Sequence, residues 1–265
     1  MRLFQGDCLD ILPTIEEKST NAIVTDPPYP EIDREYGRIS VEDWFSMMKT
    51  IVIESRRILT DDGSAVFIVQ ANSEKVGQMR TWLWEFLVWA GNEWNIIQDV
   101  YWFNNAAMPN VHSQRKYGLM RPSVKMCIWL GDSQCYRNQD AILIPYAKQP
   151  KKSTNDLISS PSGYTIRHDR AYSVPKERGG ATPFNLLKLP NTYHPTSSGA
   201  LGHGAGTPYN LMSHWIKYLT RPGDTVLDPF SGVGTAGLVC KDENRNYIGI
   251  EKFQKYHEVA MERLS

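Results

Sequence analysis

An α/β fold with a mostly parallel sheet is the class this sequence predicts, and three observations predict it. Short apolar, β-branched runs alternate with segments of helical period along most of the chain. Two of those runs open into distinctive loops, Asp26-Pro27-Pro28-Tyr29 near the start and Asp228-Pro229-Phe230-Ser231-Gly232-Val233-Gly234-Thr235 near the end. A third run ends directly in Glu251, 17 residues past Gly234. Parallel strands bring such ends to one edge of a sheet, the edge at which open α/β sheets bind ligands.

The elements follow in order. Arg2 to Gln5 reads as a strand ending at Gly6-Asp7, and Asn21 to Thr25 as a buried strand. Glu31 to Arg38 is charged, contains Gly37 and reads as a loop. Ser40-Val41-Glu42-Asp43 has the form of a capping box. Behind it Trp44, Met47, Met48, Ile51 and Ile58 recur at helical spacing to Leu59. Asp61-Asp62-Gly63 predicts a turn, Ala65 to Val69 a buried strand, and Ser73 the cap of a helix through Trp89. Ile96 to Phe103 and Val124 to Leu130 predict two more strands.

From Gly131 to Gly206 periodicity fades into proline, serine, glycine and lysine. A stretch of more than 70 residues is too long for a plain loop in a compact domain, so a functional insertion is expected. Thr207-Pro208 predicts a cap and first-turn proline, with a helix to Leu219. After the turn Arg221 to Asp224 come a strand at Thr225 to Leu227 and the glycine loop. A helix to Lys241, a strand at Tyr247 to Ile250 and a last helix from Tyr256 to Leu264 close the chain. The expected division is therefore 1–130, 131–206 and 207–265, the middle part being the insertion.

The formal net charge is zero, with 29 Lys and Arg against 29 Asp and Glu, but it is unevenly spread. Val111 to Pro190 holds 13 Lys and Arg against 5 Asp and Glu, a net of +8, and the remainder 16 against 24, a net of −8. A basic segment in an acidic body predicts a polyanion-binding face where the charges cluster. The four cysteines, Cys8, Cys127, Cys135 and Cys240, lack C-x-x-C spacing and a matching histidine pair, so no metal is expected. Most read as small buried hydrophobes with reduced thiols. No signal-peptide pattern or membrane-length apolar run is present, which predicts a soluble cytoplasmic protein with no membrane partner.

Gly232 and Gly234 let a ligand approach the backbone, and a carboxylate ending the next strand can accept both hydroxyls of a ribose. The loop has neither G-x-G-x-x-G nor a phosphate-binding lysine. An adenosine ligand without phosphates, S-adenosylmethionine, fits that pattern.

Together these residues resemble the β class of amino-methylating DNA methyltransferases. Asp26-Pro27-Pro28-Tyr29 comes early, the D-P-F-x-G-x-G-T loop comes late, and the insertion lies between, over nearly the whole chain. The resemblance implies a Rossmann-like methyltransferase fold, circularly permuted, with a mostly parallel seven-stranded sheet and a target-recognition insertion. It implies that Asp7 and Cys8 of Gly6-Asp7-Cys8-Leu9-Asp10 border the cofactor's adenine. It also places Asp26, Asp228, Pro229, Phe230, Ser231, Gly232, Gly234, Thr235, Glu251 and Lys252 at the cofactor. His203, Thr207 and Pro208 belong to the same site by resemblance, although His203-Gly-Ala-Gly-Thr-Pro208 departs from the usual H-P-T-x-K-P. Trp102 to Pro109 resembles W-x-K-x-N-x-M-P, with Asn104 where the family has lysine.

That setting gives Asp26-Pro27-Pro28-Tyr29 a chemical task. An exocyclic base amine is a poor nucleophile because its lone pair is spread into the ring. Asp26 and the Pro27 carbonyl can each accept one amine N–H, Pro28 stiffens the turn, and Tyr29 offers a ring face to a base pulled from the helix. Phe230 can face the sulfonium. The resemblance implies adenine N6 over cytosine N4, because in that family Asp in the first motif position goes with adenine and Ser with cytosine; the preference is one of association, since both amines need the same acceptors. Arg115, Lys116, Arg121, Lys148, Lys151, Lys152, Arg167, Arg170, Lys176 and Arg178 are the candidates for double-stranded DNA. A homodimer and a cognate restriction endonuclease are further partners left open. A cytosine-C5 enzyme needs a nucleophilic Pro-Cys pair, which is absent. RNA and protein-amide methyltransferases more often carry N-P-P-Y. A non-catalytic DNA-binding regulator predicts damaged motifs, yet Asp26, Tyr29, Gly232, Gly234 and Glu251 are intact.

Overall fold

The computed structural model describes residues 1–33, 37–75, 77–104, 116–145, 158–159, 165–166, 179–189 and 206–265. The chain forms two compact units, Met1–Asn138 with Phe184–Ser265, and Gln139–Pro183. The larger unit begins with β1 (Arg2–Gln5), α1 (Cys8–Ile11), β2 (Thr20–Thr25), α2 (Val41–Ile58) and β3 (Leu59–Val69). A small hairpin, β4 (Ser73–Lys75) and β5 (Gln78–Met79), precedes α3 (Trp82–Glu93), β6 (Ile96–Phe103) and β7 (Val124–Gly131). The smaller unit contributes an antiparallel pair, β8 (Ile158–Ser159) and β9 (Thr165–Ile166), and a bridge between Ile144 and Ala181. The larger unit resumes with β10 (Leu186–Leu187), α4 (Tyr209–Leu219), β11 (Thr225–Asp228), α5 (Thr235–Asp242), β12 (Asn246–Glu251) and α6 (Gln254–Leu264).

One sheet carries eight strands in the order β1-β12-β11-β2-β3-β7-β6-β10. It is mixed: β7 runs antiparallel to β3 and β6, and every other neighbouring pair is parallel. Seven strands match the expectation, and the two-residue β10 is added where the chain returns beside β6. Between β11 and β2 the winding reverses, since β11 leads on to β12 on one side and β2 to β3 on the other. Open sheets bind ligands in the crevice at such a reversal.

Both faces of the sheet are covered, as an all-apolar strand requires. In β3, Ala65, Phe67 and Val69 pack in a cluster with Leu12, Trp44, Met48, Ile51 and Phe86 of the α1–α3 side. Val66 and Ile68 alternate to the other face, packing with Leu211, Trp215, Ile216, Val239 and Cys240. All four cysteines are buried and free. Among the described residues no helix is long and apolar enough to cross a membrane.

Three local expectations change. Asp61-Asp62-Gly63 lies inside β3 as a bulge, because the register steps from Thr20↔Leu59 to Ala22↔Ser64. Gly63 allows this: a Cβ there would stand 2.9 Å from the Asn21 carbonyl oxygen. Ser73 starts the hairpin and not a helix, since Gly77 takes φ +78° and turns the chain; α3 starts after Thr81. Thr207 does not cap α4. Pro208 is its N-cap, and the Thr207 hydroxyl is engaged elsewhere. Ser40 does cap α2, accepting from the Asp43 N–H at 3.0 Å.

Candidate functional site

Parallel pairing sets the site. Gln5 is level with Glu251, and Leu227 with Ile23, so β1, β12, β11 and β2 end at one edge. That edge gathers Asp7, Glu251, Asp228 and Asp26, residues spread over the whole sequence. The Gly6 N–H donates to the Glu251 carbonyl at 2.9 Å and ties two of the strand ends together.

At the glycine loop, Glu251 is 8% exposed and organises its own surroundings. Oε2 accepts from Gly232 N at 2.9 Å, and Oε1 from Phe253 N at 2.8 Å. Each carboxylate oxygen keeps a second lone pair for another donor. Burial holds the Glu251 carboxyl above its usual range, and the two N–H donors partly oppose it. Gly232 and Gly234 take φ +52° and +78°, left-handed conformations that turn the loop into α5. Asp7 is spoken for: Oδ1 accepts from Leu9 N at 3.0 Å and caps α1, and Oδ2 meets Lys252 Nζ at 2.9 Å. Cys8 is buried, and burial pushes its thiol up to about 12, away from thiolate chemistry. Pro229 and Ser231 are buried, while Phe230 and Thr235 are partly open.

Asp228 closes the reversal. Its Oδ1 accepts from the Thr25 hydroxyl of β2 at 2.6 Å and from Phe230 N at 3.1 Å. Burial pushes its carboxyl up to about 7; the hydrogen bonds from Thr25 and Phe230 oppose this, and the charges of Glu251 and Asp26 add to it. An unfolded aspartate titrates near about 3.9, so the folded chain keeps a proton that the unfolded chain loses. Asp228 therefore contributes most to stability below about pH 4, and that contribution is lost as pH rises through about 7. Asp228→Asn carries no charge at any pH. Its melting temperature relative to the parent is expected to climb from pH 5 to pH 8 in calorimetric scans. A difference that stays flat over that range would show that Asp228 ionises at no cost.

Asp26-Pro27-Pro28-Tyr29 leaves the end of β2 and is pinned from behind. Trp44 Nε1 donates to the Pro28 carbonyl at 2.7 Å, and Asn72 Nδ2 to the Pro30 carbonyl at 2.7 Å. Asn72 is itself held by Trp82 Nε1 at 2.8 Å. The Tyr29 hydroxyl donates to Asp26 Oδ1 at 2.5 Å and lies 3.3 Å from the Ile68 carbonyl. Two further groups reach Asp26 Oδ2: the Thr207 hydroxyl at 2.7 Å and Lys125 Nζ at 2.9 Å. Thr207 was expected at the site. Lys125 was missed. The available signal was a lysine in an otherwise apolar strand, Val124-Lys125-Met126-Cys127-Ile128-Trp129-Leu130. Because β7 runs against its neighbours, its first residues lie at the edge where the other strands end. Lys125 is paired in register with Trp102, two residues before Asn104.

Of the basic candidates, Lys116 and Arg121 lie in the described residues, both exposed between β6 and β7. Arg115, Lys148, Lys151, Lys152, Arg167, Arg170, Lys176, Arg178 and His203 lie outside them, as does Ala106-Ala107-Met108-Pro109.

The sequence profile of a family described as DNA methylase, the N6/N4 methyltransferases, matches residues 20–262. The type II methyltransferase M.PvuII of Proteus hauseri is 26% identical over 273 residues, covering 96% of this chain and 80% of that protein. The solved PvuII DNA methyltransferase, titled cytosine-N4-specific, superposes with a TM-score of 0.75 at 20% identity, over 99% of this chain and 86% of that one. An M1.HpyAVI–SAM complex superposes with a TM-score of 0.59 at 21% identity, over 100% and 98% of the two chains. At such identity the superpositions speak for the fold alone.

Proposed function

The chain belongs to the N6/N4 DNA methylase family, and from that premise we propose that it is a site-specific enzyme methylating the exocyclic N6 of adenine in a base turned out of duplex DNA. The observation that supports methyl transfer to an amine is the placement of Asp26-Pro27-Pro28-Tyr29 beside the glycine loop at the reversal of the sheet, with Glu251 at the end of the next strand; the choice of adenine rests on Asp in the first motif position.

The residues fit S-adenosylmethionine. Glu251 keeps one lone pair on each oxygen for the two ribose hydroxyls. Asp228 to Thr235 would line the approach to the sulfonium, and the backbone at Asp7 and Cys8 would border the adenine. When bound, this cofactor supplies an electrophilic methyl on a positively charged sulfur. The protein's part is to prepare the nucleophile. Asp26 and the Pro27 carbonyl accept the two amine hydrogens, which draws the lone pair out of the ring and aims it at the methyl. The amine nitrogen would take the methyl, the C–S bonding pair staying with the departing thioether. The nitrogen then sheds its extra proton, held at Asp26 Oδ1, to water. Trp44 and Asn72 keep these acceptors still, and pre-set acceptors cost no reorganisation during reaction.

A second reading, cytosine N4, is favoured by the likeness to the PvuII enzyme, whose title names that specificity. The same two acceptors serve either amine. Residues 131–206 are assigned the choice of DNA sequence, with Lys116, Arg121 and the basic residues of the insertion on phosphate or base edges. The separate compactness of Gln139–Pro183 supports a distinct role for it.

The deciding experiment incubates the chain with methyl-labelled S-adenosylmethionine and mixed-sequence duplex DNA, then identifies the modified nucleoside by mass spectrometry. N6-methyladenine is the expected product. N4-methylcytosine would establish the second reading. Tight binding of cofactor and DNA with no product would make the chain a non-catalytic DNA-binding regulator.

A further inference from the structure

We propose that Lys125 is a positioning residue for methyl transfer: together with Thr207 it clamps one oxygen of Asp26, so that the other oxygen is the one presented to the target amine. This rests on the reading of Asp26 as the amine's acceptor. A carboxylate has about four lone-pair sites, two on each oxygen. Thr207 Oγ1 and Lys125 Nζ take both sites of Oδ2, at 2.7 and 2.9 Å. On Oδ1 the Tyr29 hydroxyl takes one, at 2.5 Å. The amine therefore has Oδ1 to use, either beside Tyr29 or in its place once the ring turns to stack on the base.

A free aspartate could swing about χ1 and χ2 and offer either oxygen. Two donors from separate elements remove that freedom. Lys125 is the second residue of the antiparallel strand β7, and Thr207 comes from the entry to α4. The ammonium is itself confined, 5.1 Å from the Tyr29 ring centroid and 5.7 Å from that of Trp102. The Lys125 and Asp26 side chains are 20% and 13% exposed, so this pair is shielded from salt far more than a surface pair. The same burial argues against Lys125 as a phosphate contact, which would need its ammonium at the surface.

The test uses Lys125→Met and Lys125→Arg, each in the parent and in an Asp26→Ala background. Single-turnover methyl transfer is followed with labelled S-adenosylmethionine on a duplex the parent methylates. Dissociation constants for cofactor and duplex are measured alongside. Lys125→Met is expected to slow transfer by about 10- to 100-fold while both dissociation constants stay within a few-fold. Lys125→Arg, which keeps the charge and guards against a folding defect, should restore most of the rate. On Asp26→Ala, Lys125→Met should cost nothing further, because its effect passes through Asp26.

Parent-like transfer by Lys125→Met, with Asp26→Ala strongly slowed, overturns the proposal and leaves the acceptor reading standing. So does an equal loss in both backgrounds, or weaker duplex binding with a shallower salt dependence, the mark of a phosphate contact. Parent-like transfer by Asp26→Ala removes the acceptor reading and this proposal together.

Discussion

Asp26→Ala is expected to slow methyl transfer by about 10²- to 10³-fold while leaving the dissociation constant of S-adenosylmethionine within a few-fold of the parent. Removing one acceptor that acts in the transition state costs on the order of 3 to 4 kcal/mol, or about 10²- to 10³-fold in rate. Asp26 is well placed for an effect of that size. Its carboxylate sits on a turn held by Trp44 and Asn72, and its Oδ2 is fixed by Thr207 and Lys125. Glu251 and the glycine loop do not depend on it, which is why cofactor binding should persist. Alanine also strips Lys125 of its carboxylate partner, so a melting curve belongs beside the kinetics, and Asp26→Asn keeps an acceptor oxygen without the charge. Near-normal turnover by a folded Asp26→Ala protein would place the amine's acceptor elsewhere.

The second large effect is expected at Glu251. Glu251→Ala should weaken S-adenosylmethionine binding by about two orders of magnitude or more, since two ribose hydroxyls lose a charged acceptor worth about 1.5–3 kcal/mol each. The hydrogen bonds within the site add a reason. The Glu251 carboxylate holds the N–H groups of Gly232 and Phe253, so alanine leaves both without that partner and loosens the loop itself. Glu251→Gln separates the two effects. Its amide keeps one acceptor oxygen, so it should bind more tightly than alanine and less tightly than the parent. Calorimetric titration reads both, and an unchanged affinity in Glu251→Ala would put the ribose elsewhere.

Much of this was legible in the amino-acid order. The strand leading into Asp26, the glycine loop after Asp228 and the acid at Glu251 each show themselves within a dozen residues, because strand period, turn chemistry and caps are local effects. Parallel pairing then follows from the alternation of strands and helices, and it brings those three strand ends to one edge. The Ser40 cap was equally plain.

What the order of residues could not show is which groups meet across long separations. Asp61-Asp62-Gly63 has turn composition, but the register of β2 against β3 absorbs it as a bulge. Thr207 looks like a helix cap, yet its hydroxyl goes to Asp26, 181 residues away. Lys125 reaches the same carboxylate from 99 residues away, and only because β7 runs antiparallel and starts where its neighbours end. Composition and spacing determined the sheet, its ligand edge and the acids along it. The direction of one strand and the entry angle of one helix decided how the central carboxylate is held, since a hydrogen bond depends on where two atoms stand in space and not on how far apart they lie along the chain.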